Sequence, residues 1–383
     1  MRICVVYDCL FPYTVGGGER WYRSLAERLA REGHDVTYLT LRQWDRGTRV
    51  ELDGVRVVTA GPRMALYTAG GRRRILPPLL FGIGVLLYLL RNGRSFDVVD
   101  TGAFPYFSLL AAAALRRPMG YRLAVHWFEV WSRSYWREYL GAAGGRAGEL
   151  VQRLCAHVRQ HAFCLSQVHA ARLRELGLRG EVTVLRGLYA GSLEAPEPRP
   201  AVPLVVFAGR LIPEKQVLLA VDSIGLAAQR IAGLHGEIFG DGPERAALEQ
   251  AISNQSLGEV VSARGFADAE TVDEEMRRAM CLLLTSRREG YGLVVVEAAA
   301  RGTPSVVVAG ADNAATELIV EGVNGTIAPR ADPDTVAEAI VRVHQAGLGL
   351  RQSTASWFAE NAESLSLESS LRTVLDTYAS PRS

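Results

Sequence analysis

Ser286-Arg287-Arg288-Glu289-Gly290-Tyr291-Gly292-Leu293-Val294-Val295-Val296-Glu297-Ala298-Ala299-Ala300-Arg301-Gly302-Thr303-Pro304 follows the apolar run Cys281 to Leu284 and reads as a strand, a glycine loop and a helix. Gly290 and Gly292 permit close backbone approach, and the amides of Tyr291 to Leu293 would face an anion or sugar hydroxyls from the helix start. Glu289 precedes the helix and Glu297 lies inside it, eight residues on. That spacing predicts carboxylates about two turns apart, suited to the two ends of an elongated ligand and too far apart to share a proton. A capping acid plus an unrelated helix acid would explain either Glu alone.

The same unit recurs outward in both directions. Short β-branched runs at Arg2-Tyr7, Asp35-Thr40, Val55-Thr59, Asp97-Asp100, Tyr121-Val125, Ala162-Leu165 and Val182-Leu185 alternate with helical periodicity. After the proline-rich stretch Ser192 to Pro200 a second series follows, at Leu204-Ala208, Gly236-Gly240, Val260-Ala263, Cys281-Leu284 and Ser305-Val308. Parallel βαβ units with both sheet faces covered give this pattern, so an α/β fold of two domains in tandem, meeting at a cleft, is expected.

Composition adds a single unusual residue. Of 43 basic residues, 42 are Arg and one is Lys, and Lys215 closes Gly209-Arg210-Leu211-Ile212-Pro213-Glu214-Lys215 directly after a strand. A flexible point charge suits clustered anionic oxygens such as a diphosphate, with chance in an Arg-rich chain as the alternative. The net charge of +2 hides a split, because residues 1–190 hold 27 basic and 15 acidic groups and residues 191–383 hold 16 and 26. A basic first half fits a phosphorylated partner or an anionic membrane surface; nucleic acid is not expected, since no RNA- or DNA-reading motif is present. Five Cys without a C-x-x-C pair read as reduced core thiols, and the first apolar run is too short for a signal peptide, so a cytoplasmic protein is expected. The uncharged segment Ile75 to Leu90, flanked by Arg72-Arg73-Arg74 and by Arg91 and Arg94, is short for a membrane span. A buried helix starting at Pro77-Pro78 and an element on the inner face of the membrane are both open readings.

Three further glycine loops accompany these. Val15-Gly16-Gly17-Gly18-Glu19-Arg20 ends a long loop after the first strand and lacks the spacing of a dinucleotide fingerprint; it either lays amides against a ligand or forms a turn and helix cap. Gly240-Asp241-Gly242-Pro243-Glu244 and Gly310-Ala311-Asp312-Asn313 each follow a strand and lead into a helix, with Asp241 read as structural.

Taken together, G-R-L-x-x-E-K (209–215), F-G-D-G-P-E (239–244), E-G-Y-G-L with E-x7-E (289–297) and G-G-G-E (16–19) resemble the retaining GT-B glycosyltransferases of the family-four group. The resemblance covers nearly the whole chain. It implies two Rossmann-like doubly wound domains facing a central cleft: residues 1–191 binding the acceptor, a linker at 192–202, residues 203–356 binding the nucleotide sugar, and a closing helix at 357–383 returning to the first domain. By resemblance, Arg210 and Lys215 neutralise the diphosphate of a UDP- or GDP-sugar, Glu297 holds the ribose, and Glu289 with Gly290, Tyr291, Gly292 and Leu293 holds the donor sugar. Gly16, Gly17 and Gly18 complete the expected donor contacts. The acceptor is a hydroxyl, on a lipid-linked carrier, a glycan or a soluble natural product, and no metal or cofactor is expected; a sugar-nucleotide epimerase of the same fold is the other enzyme class.

The family places a His, followed by an acid, at the end of a first-domain strand. Here Val125-His126-Trp127-Phe128-Glu129 puts Phe128 at that position, so His126 stands as a catalytic candidate against a structural His. Downstream Trp127, Trp131, Tyr135, Trp136 and Tyr139 either stack on the acceptor or pack their own loop.

Overall fold

A computed structural model describes residues 1–14, 16–45, 47–48, 50–66 and 73–380. Val15 of the first glycine loop, Arg72 of the arginine run and residues 381–383 of the closing segment lie outside the described residues. The chain divides into two units, Met1–Leu185 with Ser370–Ser383, and Arg186–Ser369.

In the first unit seven parallel strands, β1 (Arg2–Val6), β2 (Asp35–Thr40), β3 (Val55–Thr59), β4 (Val98–Gly102), β5 (Arg122–Trp127), β6 (Arg159–Cys164) and β7 (Arg179–Val184), stand in the order β3-β2-β1-β4-β5-β6-β7. Helices α1 (Gly17–Arg31), α2 (Leu76–Asn92), α3 (Phe107–Met119), α4 (Arg133–Ala156) and α5 (Gln167–Glu175) make the crossovers. Ile3, Val5, Val99 and Val125 are wholly buried, as strands covered on both faces require. Helix α1 buries Trp21, Tyr22, Leu25, Ala26 and Leu29, one stripe at helical period.

The second unit repeats the design. Strands β8 (Leu204–Ala208), β9 (His235–Phe239), β10 (Val261–Gly265), β11 (Cys281–Leu284), β13 (Ser305–Val308) and β15 (Gly325–Ala328) form a sheet in the order β10-β9-β8-β11-β13-β15, and the two-residue strands β12 (Arg288–Glu289) and β14 (Asp312–Asn313) pair separately. The helices are α6 (Val217–Ala228), α7 (Arg245–Asn254), α8 (Ala269–Arg278), α9 (Leu293–Ala299) and α10 (Pro333–Leu365), the last interrupted at Gly347. Both sheets have the doubly wound order, with the reversal between β1 and β4 in one and between β8 and β11 in the other. Ligand sites in such sheets form beyond the carboxyl ends of the strands at that reversal.

Residues 186–202 belong to the second unit, because Tyr189 donates its amide to the Leu365 carbonyl at 3.0 Å and accepts from the Leu367 amide at 2.8 Å. A side chain at Gly187 would strike the Ser366 carbonyl at 2.1 Å, so the two strands of chain lie backbone to backbone. Residues 357–369 stay with the second unit as well, and the closing helix α11 (Leu367–Ala379) joins the first unit only from Ser370. There Tyr378 donates its hydroxyl to the buried Asp100 carboxylate, and Arg122 bonds the carbonyls of Tyr378 and, at 2.7 Å, Ser380. Tyr378→Phe leaves part of that carboxylate unpartnered and should cost about 1–3 kcal/mol in urea unfolding, with turnover per folded molecule unchanged; an unmoved midpoint would show the contact to be idle.

All five Cys are buried and unpaired. Burial pushes the Cys164 and Cys281 thiols up to about 12, well above the value of about 8.5 in an unfolded chain. Their contribution to stability is therefore complete below about pH 8.5 and is lost as pH rises toward 12, on the order of 1 kcal/mol per pH unit for each thiol. Melting temperatures should fall steadily above pH 8.5; a flat profile to pH 10.5 would contradict the assignment.

Candidate functional site

Four loops of the second unit leave the carboxyl ends of β8, β9, β11 and β13, neighbours around its reversal point. The first two are zipped by backbone bonds: Gly209 donates to Phe239, Leu211 to Asp241 and Glu244 to Leu211, at 2.9–3.0 Å. Gly240 has φ 137°, and a Cβ there would lie 1.8 Å from the Gly209 carbonyl oxygen. A Cβ on Gly242, φ 157°, would lie 2.3 Å from the Leu211 carbonyl oxygen. These glycines exist so that one loop can lie on the other. Asp241 accepts from the Gly242 amide at 2.8 Å, the structural role expected of it.

The Lys215 loop is pinned to the segment after β11. Thr285 donates its hydroxyl to the carbonyls of Lys215 and Gln216 at 2.8 and 3.1 Å, and the Arg287 amide donates to Glu214 at 3.1 Å. Gln216 is held left-handed, φ 48°, a conformation side chains adopt at a cost and here fixed by Thr285. The Lys215 ammonium then donates to Glu289 Oε1, both side chains being mostly buried. Two residues singled out separately, 74 apart in sequence, thus form one ion pair. Arg210, at the start of the loop, is exposed and forms no ion pair with described residues.

Glu289 lies on β12, paired in register with Asn313 on β14. Asn313 is fully buried; its amide donates to the carbonyls of Ser286 and Val308 at 2.8 Å, and its oxygen accepts from Ala315. The loop beginning at Gly310 is in this way built into the Glu289 segment. Gly292 caps α9 with φ 97°, and a Cβ would meet Ala315 at 2.5 Å. Glu289 stands ahead of α9, which starts at Leu293 after the left-handed Gly292, and Glu297 lies inside that helix. Tyr291 is buried and donates its hydroxyl to the Arg186 carbonyl at 2.6 Å, so its ring braces the unit and only its backbone faces the loop. Glu297 is half-buried on α9.

In the first unit Gly16, Gly17 and Gly18 open α1 beyond the end of β1. A Cβ on Gly18 would sit 2.5 Å from the Tyr7 hydroxyl and 3.3 Å from Phe128, whereas one on Gly17 would meet nothing within 4 Å. Phe128, half-exposed past β5, borders this loop. His126 does not reach it. Its ring is 1% exposed, lies behind Phe128 with centroids 6.0 Å apart, stacks on Phe163 at 4.9 Å and contacts Trp21 and Tyr22. Nε2 meets Asp100 Oδ2 at 3.0 Å, the same oxygen that Tyr378 approaches. His126 thus has the surroundings of a structural His, enclosed in the core against Asp100.

Of the downstream aromatics, Trp127, Tyr135 and Trp136 are buried packing, and Trp131 and Tyr139 keep partial exposure. Sequence reasoning missed one pair altogether. Asp8, wholly buried just past β1, is salt-bridged to Arg73, whose guanidinium lies 5.1 Å from the Phe104 ring centre. Arg73 is thus an internal partner and does not flank α2 as a surface charge; an Asp at a strand end was the only signal.

Residues 15–187 match the model of Glycosyltransferase Family 4, and residues 194–363 match that of Glycosyl transferases group 1. The chain belongs to the group 1, family-four glycosyltransferases. It is 34% identical over 143 residues to the exopolysaccharide phosphotransferase SCO2592 of Streptomyces coelicolor, covering 36% of this chain and 14% of that protein. Across the first curated relatives the chain spans only 14% to 36% of their length. Whole-chain likeness comes from solved structures. Sucrose-phosphate synthase (tll1590) from Thermosynechococcus elongatus superposes with a TM-score of 0.77 at 17% identity, covering 99% of this chain and 98% of that one. Anabaena Alr3699/HepE, solved in complex with UDP, gives 0.73 at 18% identity over 100% of both chains. At such identities the likeness establishes the fold, which is GT-B.

Proposed function

We propose that this chain is a retaining glycosyltransferase that moves a sugar from a nucleotide-diphosphate donor to an acceptor hydroxyl. The observation that carries it is the contact between Lys215 and Glu289. In such a donor the outer phosphorus and the anomeric carbon are joined through one oxygen, so a cation for the phosphate and a carboxylate for the sugar have to be neighbours. Arg210 and Lys215 neutralise the diphosphate, and since negative charge grows on it as the glycosidic bond breaks, they lower the transition state more than the ground state. Glu289 and the Gly290–Leu293 backbone hold the sugar hydroxyls and Glu297 the ribose, while the Gly16–Gly18 backbone offers bare amides to a ligand.

The bond from anomeric carbon to phosphate oxygen breaks while the acceptor oxygen bonds the same carbon on the same face. The acceptor proton passes to the departing phosphate oxygen. This route asks the protein for position and positive charge and for no nucleophile, in keeping with a Glu289 engaged by Lys215. The structural relative with UDP bound makes UDP-sugars the first donors to try, with GDP-sugars alongside.

A thermal-shift panel of UDP- and GDP-sugars identifies the donor, since a ligand of the folded state raises Tm by an amount that grows with the logarithm of its concentration over Kd once that ratio exceeds one. Incubation of that donor with and without hydroxyl acceptors should then release nucleoside diphosphate in step with a glycosylated product. An altered free sugar formed without acceptor would mark an epimerase instead, and binding without any consumption would mark a non-catalytic module.

A further inference from the structure

Helix α2 is covered on one side only. Phe81, Val85 and Leu89 are fully buried, yet Leu76, Leu79, Ile83, Leu87 and Leu90 are 40–56% exposed. At 100° per residue these five occupy an arc of about 80°, a continuous aliphatic stripe along the helix. The helix is long and apolar enough to cross a membrane by length and composition, but its buried side is locked in place. A Cβ on Gly84 would lie 1.9 Å from the Ala60 carbonyl oxygen and one on Gly82 2.7 Å from Phe107. Crossing a bilayer would strip that side from the core, whereas lying in the plane of one exposes only the stripe that is already bare.

The charges on α2 and beside it in sequence are of one sign, and Asp35 on β2 is an acid within electrostatic reach of Tyr88, off the stripe. Arg74 precedes α2 and Arg91 and Arg94 follow its stripe, all exposed. Gly93 abuts Met119 as Gly82 abuts Phe107, so α3 runs parallel to α2 and brings the exposed Arg117 to the same end. From Gly54 to Phe96 the sequence contains no Asp or Glu, and α3 contains none either. A second copy of this chain docked here would set one arginine rim against another without a compensating acid. Anionic headgroups around an acyl phase match both features at once.

We propose that the exposed face of α2 docks the first unit in the plane of an anionic phospholipid bilayer. The inference stands on the first unit's surface alone, so its failure leaves the donor reading intact. Flotation with phosphatidylcholine vesicles and with equimolar phosphatidylcholine–phosphatidylglycerol vesicles tests it. Wild type should float with the anionic vesicles, far less with the neutral ones, and less as salt rises. Ile83→Ser/Leu87→Ser/Leu90→Ser, at solvent-facing positions, should lower partitioning at least tenfold with an unaltered thermal melt, and Arg91→Gln/Arg94→Gln, which leaves the helix packing untouched, about tenfold. Failure of wild type to float, flotation of both variants equal to that of wild type, or a wild-type dimer that the serine variant converts to monomer would each overturn it.

Discussion

Lys215→Ala lowers kcat/KM for the nucleotide sugar by about 10³-fold, roughly 4 kcal/mol, the scale of removing one charge that stabilises a leaving group. Lys215→Arg recovers little of it. The lysine stem passes Gly209, where an added Cβ would lie 3.9 Å from Lys215 Cε, and ends on Glu289, a place for a compact ammonium that a broad planar guanidinium does not fill in the same way. Removing the lysine also leaves a mostly buried carboxylate without its cation, which destabilises the loop on its own account. The double variant Lys215→Ala/Glu289→Gln separates the two effects. It should regain most of the lost thermal stability and none of the lost turnover. Recovery of turnover together with stability would reduce Lys215 to a structural partner of Glu289.

Gly240→Ala carries the largest expected effect on folding. The new methyl falls 1.8 Å from a backbone oxygen at a φ of 137°, so neither a rotamer change nor a flexible neighbour relieves it. The strand end and the Gly209–Lys215 loop have to part, at a cost of about 3–5 kcal/mol by the usual scale of strained backbone substitutions. Urea unfolding should show the loss, and the folded fraction should bind donor weakly, because the displaced loop is the one that carries Arg210 and Lys215. A neutral Gly240→Ala would mean the two loops are not stacked as described.

Much of this was legible in the sequence because the features are local. Strand cores such as Arg2–Val6 and Ser305–Val308 announce themselves by β-branched runs, and the glycine loops by their place after a strand. The two-residue β12 and β14 are too short to leave a pattern, and β15, Gly-Thr-Ile-Ala, lacks the valine run that marks the equally short β13. Burial depth was the harder matter. From Leu123 to Trp127 every residue of β5 is buried, so alternation does not tell that His126 is enclosed while Phe128, just past the strand, keeps partial exposure. Contacts over long separations, Asp8 with Arg73, Asp100 with Tyr378 and Lys215 with Glu289, depend on how strands are ordered, which local sequence does not encode. The packing of the proline-rich stretch depends on distant contacts in the same way. Chain composition marks a coil, but the pairing of Tyr189 with Leu365 and Leu367 decides which unit the coil joins.

The central claim, a diphosphate clamp at the Lys215 loop, is tested most directly by calorimetric titration of UDP and GDP, each beside its nucleoside and monophosphate, into wild type and Lys215→Ala. The account predicts that wild type binds one diphosphate at least tenfold more tightly than the matching nucleoside and that this advantage collapses in the variant. Equal diphosphate affinity in the two proteins, or no diphosphate binding by wild type, would contradict it.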